Sequence, residues 1–165
     1  LFPKQHESTI NLTNIDACKQ LAPQSKVYYS STSLLNLSSS EAYKLGTKRY
    51  MKSSSQKAAC VFIPTLAVEI SDALKLIGRK KIQFAVSSGG HASNQGFSST
   101  TGVQISMKGF QNVKLSGDKS YVDVGAGNIW DNVYQVLEGR SDWKLSHRIE
   151  SSHITCRNGR QCRRR

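Results

Sequence analysis

The stretch of this chain with the most chemistry in it lies where the apolar run Ile82-Gln83-Phe84-Ala85-Val86 empties into Ser87-Ser88-Gly89-Gly90-His91. Small residues in succession after a strand offer consecutive backbone N–H groups, and glycine's missing Cβ lets a ligand approach the chain closely. Such a nest suits phosphate oxygens. Asn94, Gly96, Ser98, Ser99 and Thr100 prolong the polar, small-residue stretch without adding a charge. Ordering so long a connector has an entropic cost that a bound diphosphate would offset. Taken as residues alone, the segment is either an anion-binding loop or an ordinary flexible one. A lone histidine such as His91 is more often structural or merely surface-exposed than functional.

A second glycine cluster, Gly125-Ala126-Gly127-Asn128-Ile129-Trp130, sits between a strand pattern and a helix pattern. That is where a Rossmann fingerprint would lie. Trp130 occupies the position of its third glycine, too large for the close helix–strand contact needed there, so a Rossmann nicotinamide site is rejected. Towards the C-terminus, His147, His153, Cys156 and Cys162 read H-x5-H-x2-C-x5-C, which is no standard zinc spacing, and no metal site is expected.

The elements that must position the first loop can be read from periodicity. Cys60-Val61-Phe62-Ile63-Pro64 is a buried strand closed by proline. Ala67, Ile70, Ala73, Leu74 and Ile77 recur at helical spacing, with Gly78 as the expected stop. Residues 82–86 form the next strand, making a βαβ unit whose two strands should be parallel neighbours. Val103 to Met107 alternates as a half-buried strand, and 113–115 should pair with 121–124 as a hairpin around Gly117-Asp118. A helix is expected from about Asn128 to Leu137, with Ile129, Val133 and Val136 on one face. Upstream, Asn14 or Asp16 could cap a helix through Ala17, Cys18 and Leu21, Lys26 to Tyr29 is a short strand, Ser30 to Ser40 is an exposed connector, and Ser40-Glu41 starts a second helix. The whole is an α+β domain with a mixed sheet.

Bulk properties narrow the class. At 165 residues the chain is about one domain, and no apolar run approaches the roughly 20 residues of a membrane helix. Half of the formal net charge of +12 lies beyond Gly139, where eight Lys/Arg face only Asp142 and Glu150. This reads as a basic, disordered tail. Nucleic-acid binding is disfavoured because no stacking platform of aromatics accompanies the charge. The Asn11-Leu12-Thr13 and Asn36-Leu37-Ser38 acceptors, with a plausible disulfide between Cys18 and Cys60, point to a secreted, extracellular setting.

Three runs now belong together: Phe84 to His91, Gly102-Val103-Gln104-Ile105-Ser106-Met107, and Tyr121 to Trp130. Their combination resembles the PCMH-type FAD-binding domain of the vanillyl-alcohol oxidase superfamily, and within it fungal berberine-bridge-like and 6-hydroxynicotine-oxidase-like enzymes. The likeness covers roughly Ala59 to Leu137. It implies the first βαβ subdomain of that fold plus part of the second, mixed α/β subdomain. It divides the chain into an N-terminal extension (1–55), a partial FAD-binding domain (56–138) and a non-homologous tail (139–165).

The resemblance implies FAD as cofactor, with Ser87, Ser88, Gly89, Gly90, His91, Asn94, Gly96, Gly125 and Gly127 around it, and His91 bonded covalently to the 8α-methyl of the isoalloxazine. It also implies pairing of Cys18 with Cys60, a small organic substrate giving hydride to the flavin, and molecular oxygen as acceptor. Three departures stand out. Many relatives have Arg where this chain has Ser87. No cysteine before the tail matches the second covalent link of some relatives. The likeness stops near Glu138, before the glycine-rich segment and substrate domain, so the simplest account is a truncated or misread gene product that is inactive alone. The competing reading is a non-catalytic anion-binding module whose basic tail grips a polyanionic partner.

Overall fold

A computed structural model describes residues 12–21, 26–30, 37–118, 121–137, 155–157 and 160–163. Both glycosylation acceptors, Asn11 and Asn36, lie outside them. The chain divides into two compact units, Leu1–Gly109 and Phe110–Arg165. Among the described residues, no helix is long and apolar enough to cross a membrane.

The first unit runs α1 (Leu12–Leu21), β1 (Lys26–Tyr28), α2 (Leu37–Thr47), a 3-10 turn (Lys52–Ser54), β2 (Cys60–Ile63), α3 (Ala67–Lys80), β3 (Phe84–Ser87), β4 (Val103–Ser106) and a closing 3-10 turn (Met107–Gly109). Its sheet has the order β1-β2-β4-β3. β1 is antiparallel to β2, and β4 is parallel to both β2 and β3. The expected adjacency of β2 and β3 is therefore corrected: β4 inserts between them, with Val103 opposite both Cys60 and Phe84. All four β4 residues are buried, not half of them, because a central parallel strand is covered on both faces. β3 takes the edge and keeps the alternation, with Ala85 and Ser87 buried and Phe84 and Val86 exposed.

Several boundaries also move. α1 begins at Leu12, so Asn14 and Asp16 lie inside the helix and do not cap it. α2 begins at Leu37, which turns the end of the serine-rich connector into helix. α3 passes through Gly78 and stops at Lys81, whose left-handed φ of 51° closes the helix while its N–H bonds back to Gly78 and Ile77. At its start, the Glu69 carboxylate accepts from the N–H of Thr65 (2.7 Å) and Leu66 (3.0 Å), satisfying two donors that the helix leaves open.

The core of this unit joins Ala17, Cys18 and Leu21 of α1 to Phe62, Ala73, Ile77, Val103 and Ile105. Cys18 and Cys60 are disulfide-bonded across a sequence separation of 42, both fully buried. β1 thus joins the sheet and Cys18 of α1 is bonded to Cys60 of β2, within the same compact unit.

The second unit holds β5 (Val113–Leu115) antiparallel to β6 (Val122–Val124), then α4 (Trp130–Leu137). Val122, Val133 and Leu137 form its core, with Val113, Leu115, Val124 and Trp130 packed against it. The expected helix face is thus rotated: Ile129 and Val136 are exposed, and Trp130, Val133 and Leu137 carry the packing. Within the tail, β7 (Thr155–Arg157) pairs antiparallel with β8 (Arg160–Arg163). The two strands flank Asn158-Gly159, a dipeptide with a strong hairpin preference.

Candidate functional site

β3 delivers the chain to the loop. Ser87 ends the strand opposite Ser106 and is buried, so the exposed part of the loop begins at Ser88. Gly90 has a φ of +75°, and a Cβ there would stand 2.9 Å from the Lys48 carbonyl. Only glycine fits both constraints. The Gly90 carbonyl accepts from the Tyr50 N–H at 3.0 Å. Among the described residues, no acceptor within the chain meets the N–H groups of Gly89, Gly90 or His91. Three adjacent donors without internal partners, on a segment free of carboxylates, are what an anion would find.

The return limb is held from below. Gly96, at φ +84°, donates its N–H to Ser99 Oγ at 3.2 Å, and Ser99 Oγ donates to the Ser54 carbonyl at 2.6 Å. Asn94 contributes its carbonyl to Phe97 N–H, and its side chain is exposed. Within this loop the structure therefore separates roles: Ser88, Gly89 and His91 are exposed and Gly90 is buried against Lys48, while Ser99 ties Gly96 to the 3-10 turn of residues 52–54.

Sequence reasoning missed Arg49, Tyr50 and Gln104. Arg49 is buried, and its guanidinium donates to Gly46 O (3.3 Å), Lys48 O (3.0 Å), Gln104 Oε1 (2.9 Å) and the Ser98 carbonyl. Gln104, also buried, donates in turn to Ala85 O at 3.1 Å. Burial lowers the Arg49 pKa from its ordinary value. Its hydrogen-bond partners are neutral oxygens, and no ion pair cancels its charge among the described residues. No periodicity or motif marks position 49; one arginine in a lysine-rich segment looks like solvated surface. Tyr50 is 80% exposed, and its ring stacks on the His91 imidazole with centroids 5.4 Å apart and planes 17° apart. A cleft of about 640 Å³ adjoins this segment, lined by Lys44, Lys48, Arg49, Tyr50 and Lys52 among others. His91 is not among the lining residues; its exposed imidazole stacks on Tyr50, which is.

The other predicted pair, Gly125 and Gly127, belongs to the second unit. Gly125 N–H bonds to Asn112 O and Gly127 N–H to Phe110 O, both at 2.8 Å. Toward a cofactor these glycines can offer bare backbone surface but not those two donors. Among the described residues no His/Cys/Asp/Glu group could hold a metal ion.

The fold is α+β, with an uncharged, glycine-bearing loop at the end of a parallel strand and an exposed imidazole at its tip. Comparison with known proteins supplies the class. The family described as FAD binding domain matches residues 58–152, running on past Glu138, and this chain belongs to it.

Among curated relatives, the FAD-dependent monooxygenase macF of Penicillium terrestre is 40% identical over 83 residues, covering 49% of this chain and 16% of the relative. The FAD-dependent monooxygenase yanF of Aspergillus niger is 36% identical over 83 residues, covering 49% and 14%. The chain therefore matches about a sixth of the length of such proteins. Among solved structures, a chitooligosaccharide oxidase superposes with a TM-score of 0.64 at 18% identity, over 82% of this chain and 27% of that one. The wild-type BBE-like 1 of Physcomitrella patens superposes with a TM-score of 0.57 at 15% identity, over 74% and 26%. These likenesses support the resemblance to berberine-bridge-like flavoproteins, and the solved structures do so through the fold alone.

Proposed function

We propose that this chain is the cofactor-attachment part of an oxygen-using FAD-linked oxidoreductase, with His91 as the residue that bonds the flavin. The observation that carries the proposal is the loop itself: free N–H groups at Gly89, Gly90 and His91 beside an exposed imidazole. Gly89, Gly90 and His91 would hold the diphosphate through backbone donors, and Asn94 adds an exposed polar side chain on the same loop. Arg49 adds an uncancelled positive charge behind the turn, offsetting in part the arginine that many relatives have at position 87.

When bound, FAD accepts a hydride from an organic substrate and passes the electrons to dioxygen. The His91 imidazole would be the group that bonds the flavin at its 8α-methyl, giving up its N–H proton, with dioxygen as the oxidant such attachment needs. Neutral imidazole is a competent nucleophile for such a bond near neutral pH. The named relatives are monooxygenases and some structural neighbours oxidases; dioxygen is the common acceptor that this reading needs. The matched share of the relatives supports the further proposal that these 165 residues alone turn over no substrate. The Cys18–Cys60 disulfide supports a secreted or otherwise oxidising location.

The test is direct. Protein incubated with FAD and then denatured in acid should keep its yellow absorbance on the polypeptide. His91→Ala should release all of it. A colourless wild-type polypeptide, or colour retained by His91→Ala, overturns the assignment.

A further inference from the structure

We infer that Tyr50 is a positioning residue for the His91 imidazole, and that Arg49 is the anchor that makes Tyr50 rigid enough to do so. The inference deepens the attachment reading and rests on it. Tyr50 exposes 80% of its surface, an unfavourable state for an aromatic ring unless the ring has a partner. Its ring partner is His91, in a near-parallel stack.

The stack is not a chance meeting of two mobile side chains, because the backbones beneath them are joined. Tyr50 N–H donates to Gly90 O at 3.0 Å. Directly before it, Arg49 is buried and holds Gln104 of the central strand β4 and the Ser98 carbonyl of the loop's return limb. Even the space between the two segments is closed, since a Cβ at Gly90 would meet Lys48 O. A continuous path of bonds thus runs from the centre of the sheet through Arg49 and Tyr50 to the ring at the loop tip.

The chemical consequence follows from imidazole geometry. Both ring nitrogens lie at the edge, in the ring plane. A tyrosine laid over one face leaves the edge open and restricts rotation about the Cβ–Cγ bond. His91 is then presented with its nitrogen directions narrowed before any cofactor arrives, and the entropy of finding them is already lost.

The experiment compares wild type, Tyr50→Ala, Tyr50→Phe and His91→Gln, each as the full chain. Two readouts are used: the rate at which acid-stable flavin appears on incubation with FAD, and the imidazole carbon-bound proton signals of the cofactor-free protein. The chain has four histidines, and the signal lost in His91→Gln assigns His91. We expect Tyr50→Ala to move that signal by loss of the ring current and to slow attachment roughly two- to tenfold, the range of one aromatic pair. Tyr50→Phe should leave both at wild-type values. Because the side chain is exposed, neither change threatens folding.

A His91 signal unmoved in Tyr50→Ala overturns the stack. A moved signal with attachment at the wild-type rate overturns positioning and leaves attachment at His91 standing. If the wild type forms no acid-stable flavin, the attachment reading has failed and the inference falls with it, while the proton signals still show whether the rings stack.

Discussion

Two glycine turns in this chain look alike as sequence and differ in what they do with their donors. Ser88-Gly89-Gly90-His91 follows a parallel edge strand, and the N–H groups of Gly89, Gly90 and His91 meet no acceptor among the described residues. Gly125-Ala126-Gly127 follows a hairpin strand, and both its glycine N–H groups are taken up by carbonyls of residues 110 and 112. Asn128 completes that closure by donating its side-chain amide to Asn112 O and Gly125 O, each at 3.1 Å. On the reading proposed above, one turn is a surface for an anion; the other is a joint. Glycine content does not distinguish them; whether the donors are engaged does.

The largest effect expected from this contrast is on the joint. A Cβ on Gly125 would lie 2.6 Å from Asn112 Oδ1 and closer still to the Phe110 carbonyl. Backbone oxygen cannot swing aside as a side chain can, so Gly125→Ala should break one or both inward bonds and cost the second unit about 3 kcal/mol. Trp130 packs against the core of that unit, so urea unfolding followed by tryptophan fluorescence reads the loss there. An unchanged midpoint would show that the joint tolerates a side chain, and the contrast would collapse.

How much of this was legible beforehand depends on whether the determinant is local. The β2-α3-β3 pattern and the hairpin could be read because each is specified by a contiguous period of apolar residues and a turn dipeptide. The loop could be read for the same reason: four small residues in a row, Ser87 to Gly90, at the end of a strand. The position of β4 between β2 and β3 was not legible, because strand order is set by burial of both faces of Val103 to Ser106, not by anything within those four residues. Arg49 was not legible either. Its role depends on Gln104, 55 positions away, and on a loop carbonyl at Ser98, 49 positions away. The Tyr50–His91 stack has the same non-local origin. Gly78 misled because a good helix stop yields when the following residue, Lys81, can adopt the left-handed conformation instead.

A smaller stability effect, with a larger functional one, is expected at the donor loop. Gly90→Ala forces a Cβ into a left-handed residue, which costs about 1–2 kcal/mol, and crowds Lys48 O at 2.9 Å. The loop can relieve this only by changing the directions of its unpartnered N–H groups. We expect a modest drop in the thermal midpoint of the first unit, followed by circular dichroism, together with loss of most acid-stable flavin. Gly125→Ala should show the opposite balance, with the larger stability loss and flavin attachment retained in the fraction that stays folded. Gly90→Ala that attaches flavin normally would mean that the loop's donors are not the binding surface.

The smallest expected effect concerns the charge gathered behind the donor loop. Lys108 Nζ donates to Leu45 O at 2.9 Å. Its pKa is lowered below the ordinary lysine value, first by partial burial and then by the positive charges of Lys48 and Arg49. The sign of the pH effect follows from linkage. At pH below both values Lys108 is protonated whether the chain is folded or not, and the full penalty of holding that charge in the folded state is present. Between the lowered folded value and the ordinary one, the unfolded chain binds more protons, so stability rises with pH. Above the ordinary value the penalty is gone. Solvent screening of a group this exposed keeps the whole gain under about 1 kcal/mol.

Lys108→Met should therefore flatten the alkaline rise in the urea midpoint. The difference between the two proteins is the proper readout, because Tyr29 and Tyr43, raised by burial, pull the other way in both: the folded state keeps their protons longer, and stability falls as pH passes their values. If wild type and Lys108→Met run parallel through the alkaline range, the crowded cations do not repel one another enough to matter. The electropositive backing of the loop would then rest on Arg49 alone.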